Sequence, residues 1–390
     1  MFKKEYDVIV VGAGPAGSTA ARFAAEHGIS VLMLEKDRDV GYPVRCGEAI
    51  SRAGVAEFIE PDNKWINAVI DKFAMVSPDG TEVVIPLEDI GYILERRIFD
   101  YELAKLASNA GAEILTRAYV NGLIIENNKV CGVKYEFRGE QHEVRSKVVI
   151  GADGVESRVG RWAGIKTYID FRDMECATQI TASGIPIDQS TCYFYFGKDY
   201  APEGYFWIFP KGDTSANIGL GVSGMTGRKR SALSFLNDFM EKNYPNASVL
   251  TQIAGGVPCV TTLEKISAPG IILVGDAARQ VNPLSGGGIA SGMIGGKIGG
   301  TIVGEAVKMN KLDHILTYDK AWHDRLGKRH EIFDRIKNGI YNFSDEKFNN
   351  IAHSFNKVPY DKRGLGNLFK TALFNNPSLL VDVAKVFLVK

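Results

Sequence analysis

The N-terminal stretch YDVIVVGAGPAGSTAARFAAEHGISVLMLEK constrains the fold more strongly than any other part of this sequence. Its apolar run Val8–Val11 predicts a buried strand, Ser18–Glu26 predicts a helix, and Ser30–Glu35 predicts a second strand. A glycine turn with the spacing G-x-G-x-x-G joins the first strand to the helix. Strand, turn, helix and strand in this order predict a βαβ unit, and hence an α/β fold.

The glycines of this turn predict a loop that binds a pyrophosphate. Gly12 permits the tight turn, Gly14 lets the backbone approach phosphate groups, and Gly17 lets the helix pack closely on the strand. Pro15 and Ala16 complete the turn, and the N-terminus of the helix that follows offers free N–H groups and the positive end of its dipole to the phosphates. Glu35 ends the second strand, where a carboxylate can accept both hydroxyls of an unphosphorylated ribose.

Two later segments indicate whether the bound dinucleotide is FAD or NAD. VVIGADGVESRVGRWAG carries Asp153 after a strand, and GIILVGDAARQVNPLSGGGIASGM places Asp276 at the carboxyl end of the predicted strand Ile271–Val274. A carboxylate at that end of a sheet can bind the ribityl hydroxyls of a flavin. Three glycines then begin a helix whose positive end can face the flavin's pyrimidine edge: Gly286, Gly287 and Gly288. These segments predict FAD, because a nicotinamide dinucleotide has no ribityl chain.

Composition excludes several other classes of function. Lys plus Arg and Asp plus Glu number 46 each, so the chain offers no net positive charge to a nucleic acid. The six histidines are scattered, and we predict no metal site. The five cysteines include no Cys-x-x-Cys pair, which predicts a reduced, cytoplasmic protein; they are Cys46, Cys131, Cys176, Cys192 and Cys259.

The motifs together resemble a known family. The N-terminal βαβ unit, GADG, and GDAA followed by P-x-x-G-x-G are similar to flavoproteins of the aromatic hydroxylase type. Within that group, PEGYFWIFP matches P-x-x-Y-x-W-x-F-P and is followed eight residues later by GLG. That pair, together with RCGEAIS, resembles the geranylgeranyl reductases, which hydrogenate isoprenoid double bonds. The resemblance runs from the first strand to about residue 300.

The resemblance implies a set of FAD contacts. Arg96 matches the arginine that starts an R-x-x-F-D helix, and Val120 lies where a strand passes the adenine. The other implied contacts lie in the βαβ unit, the RCGE segment and the third flavin motif: Ala16, Glu35, Arg45, Cys46, Gly47, Asp276, Gly288 and Ile289. Cys46 is in addition a candidate proton donor, with small-residue packing as the alternative interpretation.

The resemblance also implies the fold. We predict a Rossmann-type FAD-binding domain at residues 1–70, 92–165 and 268–310. Interleaved with it, residues 71–91 and 166–267 are predicted to form a mostly antiparallel sheet domain for the prenyl chain, with a hairpin turn at Pro78-Asp79-Gly80. Residues 311–390 are predicted to form C-terminal helices. Glycines 288, 292, 296 and 300 form a stripe that we expect to let their helix lie close to the sheet or the flavin.

The aromatic motif predicts two strands, Tyr193–Phe196 and Tyr205–Phe209. Alternation on the second strand separates two sets of side chains: Tyr205, Trp207 and Phe209 on one face, and Phe206 and Ile208 on the other. Both sets could be sheet core. The alternative is that the first set walls a tunnel for an isoprenoid chain, with Gly219 and Gly221 leaving room on the neighbouring strand.

The favoured function is FAD-dependent reduction of isolated double bonds in geranylgeranyl chains of archaeal-type membrane lipid precursors. The alternatives are a flavin monooxygenase or halogenase of the same fold, and a prenyl-binding carrier like the GDP-dissociation inhibitors. The expected electron donor is NAD(P)H or a ferredoxin. No window of the sequence is apolar enough to span a bilayer. We therefore expect peripheral contact with the inner face of the membrane through an amphipathic helix at Leu379–Val389.

Overall fold

The computed structural model describes residues 3–374 and 377–384, and the chain in it divides into two units. The first unit comprises the residues up to Val44, Arg96–Tyr168 and Val260–His330. The second comprises Arg45–Glu95, Ile169–Cys259 and the residues from Glu331 onwards.

The strands of the described residues, numbered along the chain, are β1 (Glu5–Val11), β2 (Val31–Leu34), β3 (Ala49–Ser51), β4 (Ile66–Val76), β5 (Glu82–Leu94), β6 (Ala112–Leu115), β7 (Ala118–Glu126), β8 (Lys129–Phe137), β9 (Glu140–Gly151), β10 (Met174–Ser183), β11 (Thr191–Tyr195), β12 (Tyr205–Pro210), β13 (Ser215–Ser223), β14 (Ser248–Pro258), β15 (Ser267–Ala268) and β16 (Ile271–Leu273).

The α-helices are α1 (Pro15–Ala25), α2 (Arg52–Ala56), α3 (Arg96–Asn109), α4 (Arg158–Trp162), α5 (Gly224–Gly227), α6 (Ala232–Asn243), α7 (Ile289–Lys308), α8 (Tyr318–Trp322), α9 (Lys328–Ile340), α10 (Asp345–Phe355), α11 (Leu365–Ala372) and α12 (Pro377–Val383). Single turns of 3₁₀ helix occur at Gly154–Glu156, Gly275–Ala278, Leu312–Thr317 and Tyr360–Lys362, and a π turn at His323–Gly327.

The first unit is built on a parallel sheet with the order β16, β9, β1, β2, β6, extended by the antiparallel strands β15, β8 and β7. Val8 pairs with Val31 on one side and with Val148 on the other. The central runs Val8–Val11 and Val31–Leu34 are apolar and buried throughout, as is typical of strands in a parallel sheet that is covered on both faces. The predicted βαβ unit is confirmed, and the order β1, α1, β2 brings the glycine turn to the carboxyl end of β1.

The glycine stripe of α7 serves helix-to-helix packing. A Cβ at Gly296 would lie 2.3 Å from the Ala16 carbonyl oxygen, and one at Gly300 would lie 2.4 Å from that of Ala20. The stripe therefore lets α7 lie against α1, and this corrects the expected approach to the sheet. Gly299, outside the stripe, faces the sheet through Ile272.

The second unit is built on a sheet with the order β14, β10, β13, β12, β11, β4, β5, β3. β11 and β4 run parallel, and the other neighbours run antiparallel. The predicted mostly antiparallel sheet is confirmed, as is the β4–β5 hairpin, whose turn is closed by the Ser77 N–H bonding the Thr81 carbonyl at 3.1 Å. Helix α6 covers one face of this sheet with Phe235, Leu236 and Phe239.

The two units divide the chain differently from the predicted ranges, and two of the differences concern residues 45–70 and 311–330. Residues 45–70 belong to the second unit, because β3 and β4 pair within its sheet. Residues 311–330 belong to the first unit, whose core includes Tyr318 and Trp322. The assignment of a function to each range stays a prediction. In the described residues, every helix is too short or too polar to cross a membrane.

Candidate functional site

The glycine turn after β1 has the geometry of an anion-binding loop. Gly12 has a φ of +102°, and a Cβ there would lie 2.4 Å from the Ala152 carbonyl oxygen. A Cβ at Gly17 would lie 2.0 Å from the Gly12 carbonyl oxygen, so Gly17 permits the close helix packing that was predicted. Gly14 differs, because a Cβ there would meet no atom within 4 Å. The backbone at Gly14 therefore faces open space at the start of α1.

Glu35 lies directly after β2. Its Oε2 accepts a hydrogen bond from the Ala13 N–H at 2.8 Å, and its Oε1 accepts one from the Asp37 N–H at 2.9 Å. Burial raises the pKa of this carboxyl group, although both N–H groups oppose that shift. Each oxygen accepts one bond and keeps a lone pair for another donor, such as a ribose hydroxyl.

Two aspartates follow neighbouring strands of the same sheet, β9 and β16. Asp153 Oδ2 accepts the Val159 N–H at 3.0 Å, whereas its Oδ1 is buried and has no hydrogen-bond partner among the described residues. Asp276 lies in the 3₁₀ turn after β16, and burial raises its pKa. Its Oδ1 lies 3.2 Å from the Cβ position of Gly288, the residue that caps α7.

Three further residues of the first unit that were predicted to contact FAD lie near other groups of the protein. Arg96 makes a bidentate ion pair with buried Asp100, with distances of 2.6 and 2.7 Å. Its charge partly opposes the rise in the pKa of Asp276 that burial causes. Val120 is buried in the core of the unit. Ile289 opens α7 after the glycine loop, in which the Gly286 N–H bonds the Asn282 carbonyl at 2.9 Å.

These residues fit FAD. The open backbone at Gly14 suits a pyrophosphate, and the unpaired Oδ1 of Asp153 suits a hydroxyl donor. The predicted contacts that the structure brings to the carboxyl ends of the strands include Gly14, Glu35, Asp153 and Asp276.

The RCGE segment belongs to the second unit and is tied to its sheet. The Cys46 carbonyl accepts a hydrogen bond from Gln179 Nε2 at 2.9 Å, and Gln179 Oε1 accepts the Trp207 indole N–H at 3.0 Å. A Cβ at Gly47 would lie 2.9 Å from the Phe209 ring, so glycine allows the segment to lie on that ring. The half-buried Cys46 Sγ accepts the Glu48 N–H at 3.2 Å. Arg45 is exposed.

The glutamate of this segment has buried partners that were not predicted. Glu48 is 4% exposed and its Oε2 lies 2.6 Å from both Lys211 Nζ and Asn217 Nδ2. Lys211 Nζ also lies 3.4 Å from Glu95 Oε2. Glu48 therefore belongs to a buried polar cluster with Lys211 and Asn217.

The two faces of β12 are separated as predicted. Phe206 and Ile208 lie in the core beneath α6, where Phe206 and Phe239 have ring centroids 4.2 Å apart. Trp207 and Phe209 lie in a different cluster, together with Phe194 and Tyr205. We call the side chains Tyr205, Trp207 and Phe209 the aromatic face.

The two glycines of GLG lie opposite the aromatic face, on β13. Gly219 pairs with Trp207, and a Cβ there would lie 2.6 Å from the indole, so the indole itself occupies that room. Gly221 pairs with Tyr205, and a Cβ there would meet only Glu175 within 4 Å. The room that the sequence predicted is therefore open at Gly221 and filled at Gly219.

Glu175 was also missed by sequence reasoning. It lies on β10, is 7% exposed, and its Oε1 accepts a hydrogen bond from the Tyr341 hydroxyl. Glu175 and Gln179 occupy alternate positions of one buried strand face. Glu175 and Gln179 lie four residues apart in a predicted strand, and this spacing, which places both side chains on one face, was the signal that could have identified them.

An α/β unit with this loop and these carboxylates defines an FAD-dependent flavoprotein. Residues 5–199 match the family model of an FAD binding domain, and residues 173–257 match that of a geranylgeranyl reductase catalytic domain. It is 44% identical to digeranylgeranylglycerophospholipid reductase 2 of Methanococcoides burtonii, over 99% of this chain and 97% of that one. A reductase of the same name from Methanocella arvoryzae is 42% identical, over 98% and 99%. The chain belongs to the geranylgeranyl reductase family, and it is an FAD-dependent oxidoreductase.

Solved structures agree with this placement. A geranylgeranyl bacteriochlorophyll reductase-like protein from Thermoplasma acidophilum has a TM-score of 0.92 and 33% identity, covering 98% of this chain and 100% of that one. A flavin-dependent brominase has a TM-score of 0.71 and 19% identity, covering 96% of this chain and 99% of that one. The second likeness shows a shared fold alone.

Proposed function

We propose that this protein reduces double bonds in the geranylgeranyl chains of glycerophospholipid precursors. The observation that supports the proposal is the aromatic face. Its side chains lie outside the core beneath α6, and the RCGE segment packs against Trp207 and Phe209. The names of the reductases from Methanococcoides burtonii and Methanocella arvoryzae support the choice of lipid. Within this proposal the predicted FAD contacts keep their assigned roles.

The chemistry requires a hydride and a proton, because an isolated alkene has no conjugated carbonyl. Reduced FAD, when bound, supplies the hydride. Charge that develops on the more substituted carbon is positive, and the faces of Tyr205, Trp207 and Phe209 can stabilise it through their negative quadrupoles. The same rings hold a flexible apolar chain in a fixed position and exclude water at little entropic cost.

Anaerobic incubation of the reduced holoenzyme with a digeranylgeranylglycerophospholipid tests the proposal. We expect mass spectrometry of the extracted lipid to show the addition of one hydrogen molecule per double bond. A second incubation is carried out in air. Addition of oxygen atoms to the lipid there would favour the monooxygenase or halogenase alternative instead. An unchanged lipid that nevertheless co-purifies with the protein would favour a prenyl carrier.

The electron donor and the membrane contact also belong to the proposal. We infer that NAD(P)H or a ferredoxin reduces the flavin, and that the protein binds the membrane surface, because its lipid substrate resides there. The helix expected at Leu379–Val389 extends beyond the described residues, which end at residue 384.

Truncation tests the membrane contact. The full chain should float with liposomes of anionic phospholipid, whereas a chain ending at Asn376 should float less, since it lacks the apolar segment. Flavin absorbance verifies that the truncated protein is folded. Equal flotation of the two folded proteins would contradict a role for this segment.

A further inference from the structure

A buried acid next to the aromatic face has one unsatisfied oxygen. Glu175 Oε1 accepts the Tyr341 hydroxyl, but Glu175 Oε2 is buried and has no hydrogen-bond partner among the described residues. An unpaired carboxylate oxygen inside a protein is costly. The cost is avoided if the oxygen is protonated or if it faces a ligand.

The surroundings of Glu175 Oε2 show which space it faces. A Cβ at Gly221 would lie 3.7 Å from this oxygen and would meet no other residue within 4 Å. Gly221 pairs with Tyr205 of the aromatic face and, across the strand, with Ala177 of β10. The oxygen therefore borders the open room at Gly221, beside the rings that we propose hold the prenyl chain.

We propose that Glu175 is the acid that protonates the alkene, and that Tyr341 positions it. This inference rests on the proposed function. The π electron pair of the alkene takes the proton from Oε2 and forms one C–H bond, leaving a cation beside the aromatic face. The second C–H bond would use the hydride that FAD, when bound and reduced, would supply. Glu175 is left as a carboxylate and regains a proton from water.

Glu175 is protonated to a useful extent near neutral pH. Burial raises its pKa to about 7, while the Tyr341 hydrogen bond and the Lys337 charge oppose the shift and the Glu203 charge adds to it. Burial also raises the pKa of Tyr205 and that of the neighbouring Cys176, so both stay neutral in this range. An acid whose pKa lies near the working pH is the most effective proton donor.

The test is the rate at which the lipid reoxidises the flavin. Dithionite-reduced holoenzyme is mixed anaerobically with a digeranylgeranylglycerophospholipid in detergent, between about pH 5 and about pH 9. We expect the wild-type rate to fall as pH rises through the pKa of Glu175, since only the protonated acid reacts. Glu175→Gln should keep FAD, react about 10²–10⁴-fold more slowly and lose this pH dependence. Glu241→Gln, at an exposed position of α6, should match the wild type.

A second variant separates catalysis from structure. Tyr341→Phe removes the hydrogen bond that lowers the pKa of Glu175, so the fall in rate should move to higher pH, whatever the change in the maximal rate. A carboxyl group with only a structural role would not move the pH profile. An unshifted profile in folded Tyr341→Phe overturns the proposal even if Glu175→Gln does not fold.

Cys46 is the competing donor from the sequence. Cys46→Ser should keep FAD and the wild-type pH dependence, whatever its effect on the maximal rate. The proposal is overturned if Cys46→Ser abolishes reoxidation while Glu175→Gln keeps both rate and pH profile. Failure of the wild-type protein to react with the lipid would instead contradict the proposed function, so the two failures are distinguishable.

Discussion

Gly14→Val is expected to yield a folded protein whose affinity for FAD is at least about 100-fold weaker than that of the wild type. Gly14 has φ −67° and ψ 179°, a conformation open to valine, and its Cβ position meets no atom within 4 Å. The chain therefore tolerates the side chain, but the pyrophosphate does not. Each lost hydrogen bond to a charged phosphate costs about 1.5–3 kcal/mol. Calorimetric titration of the apoprotein with FAD measures the loss.

Two glycine variants serve as controls. Gly364 is also an extended residue that caps a helix, with no atom within 4 Å of its Cβ position, but it lies in the second unit. Gly364→Val should therefore bind FAD normally. Gly17→Val should fail to fold, because its Cβ would overlap the Gly12 carbonyl oxygen. A Gly14→Val protein with full flavin occupancy would disprove the assignment of this loop.

Substitutions on the two faces of β12 are expected to have different effects. Phe206 is fully buried against Phe239, so Phe206→Ala should lower the free energy of unfolding by about 3–5 kcal/mol. The turnover of the fraction that remains folded should stay near wild type. Trp207→Ala should keep FAD but lower the turnover of folded protein by about 100-fold, because the prenyl chain loses its position. Chemical denaturation and lipid turnover are measured on both variants.

The hydrogen bond of Trp207 refines this test. Trp207 is itself 9% exposed, so Trp207→Ala also costs stability, and turnover must be expressed per folded, flavin-containing molecule. Trp207→Phe keeps a smaller ring on the aromatic face and removes the N–H that bonds Gln179. We expect it to retain most activity. If Trp207→Ala turns over normally once folded, the aromatic face is ordinary core and the proposed substrate site is wrong.

Local patterns were sufficient to predict much of this protein. Gly12, Gly14 and Gly17 act within one turn and the strand beside it, so their spacing alone predicts their geometry. The split of Trp207 from Phe206 follows from the alternation of any strand. The class of protein depended on such short motifs, and similarity over the whole chain confirmed the family.

Contacts between distant parts of the chain could not be predicted in this way. Glu48 and Lys211 are far apart in sequence and form a buried ion pair only because β3 and β12 belong to one sheet. The stripe on α7 predicted close packing, but a helical stripe does not specify its partner, and that partner is α1.

The sequence by itself determined the parallel FAD-binding sheet, the mostly antiparallel second sheet and the family, because each depends on periodicity or on residues close together in the chain. Only the tertiary structure decided that Gln179 links Trp207 to the RCGE segment, and that Glu175 borders the room at Gly221 with one oxygen unpaired. The physical reason is burial. The protonation and partners of a polar side chain depend on which strands and helices enclose it, and sequence spacing does not contain that information.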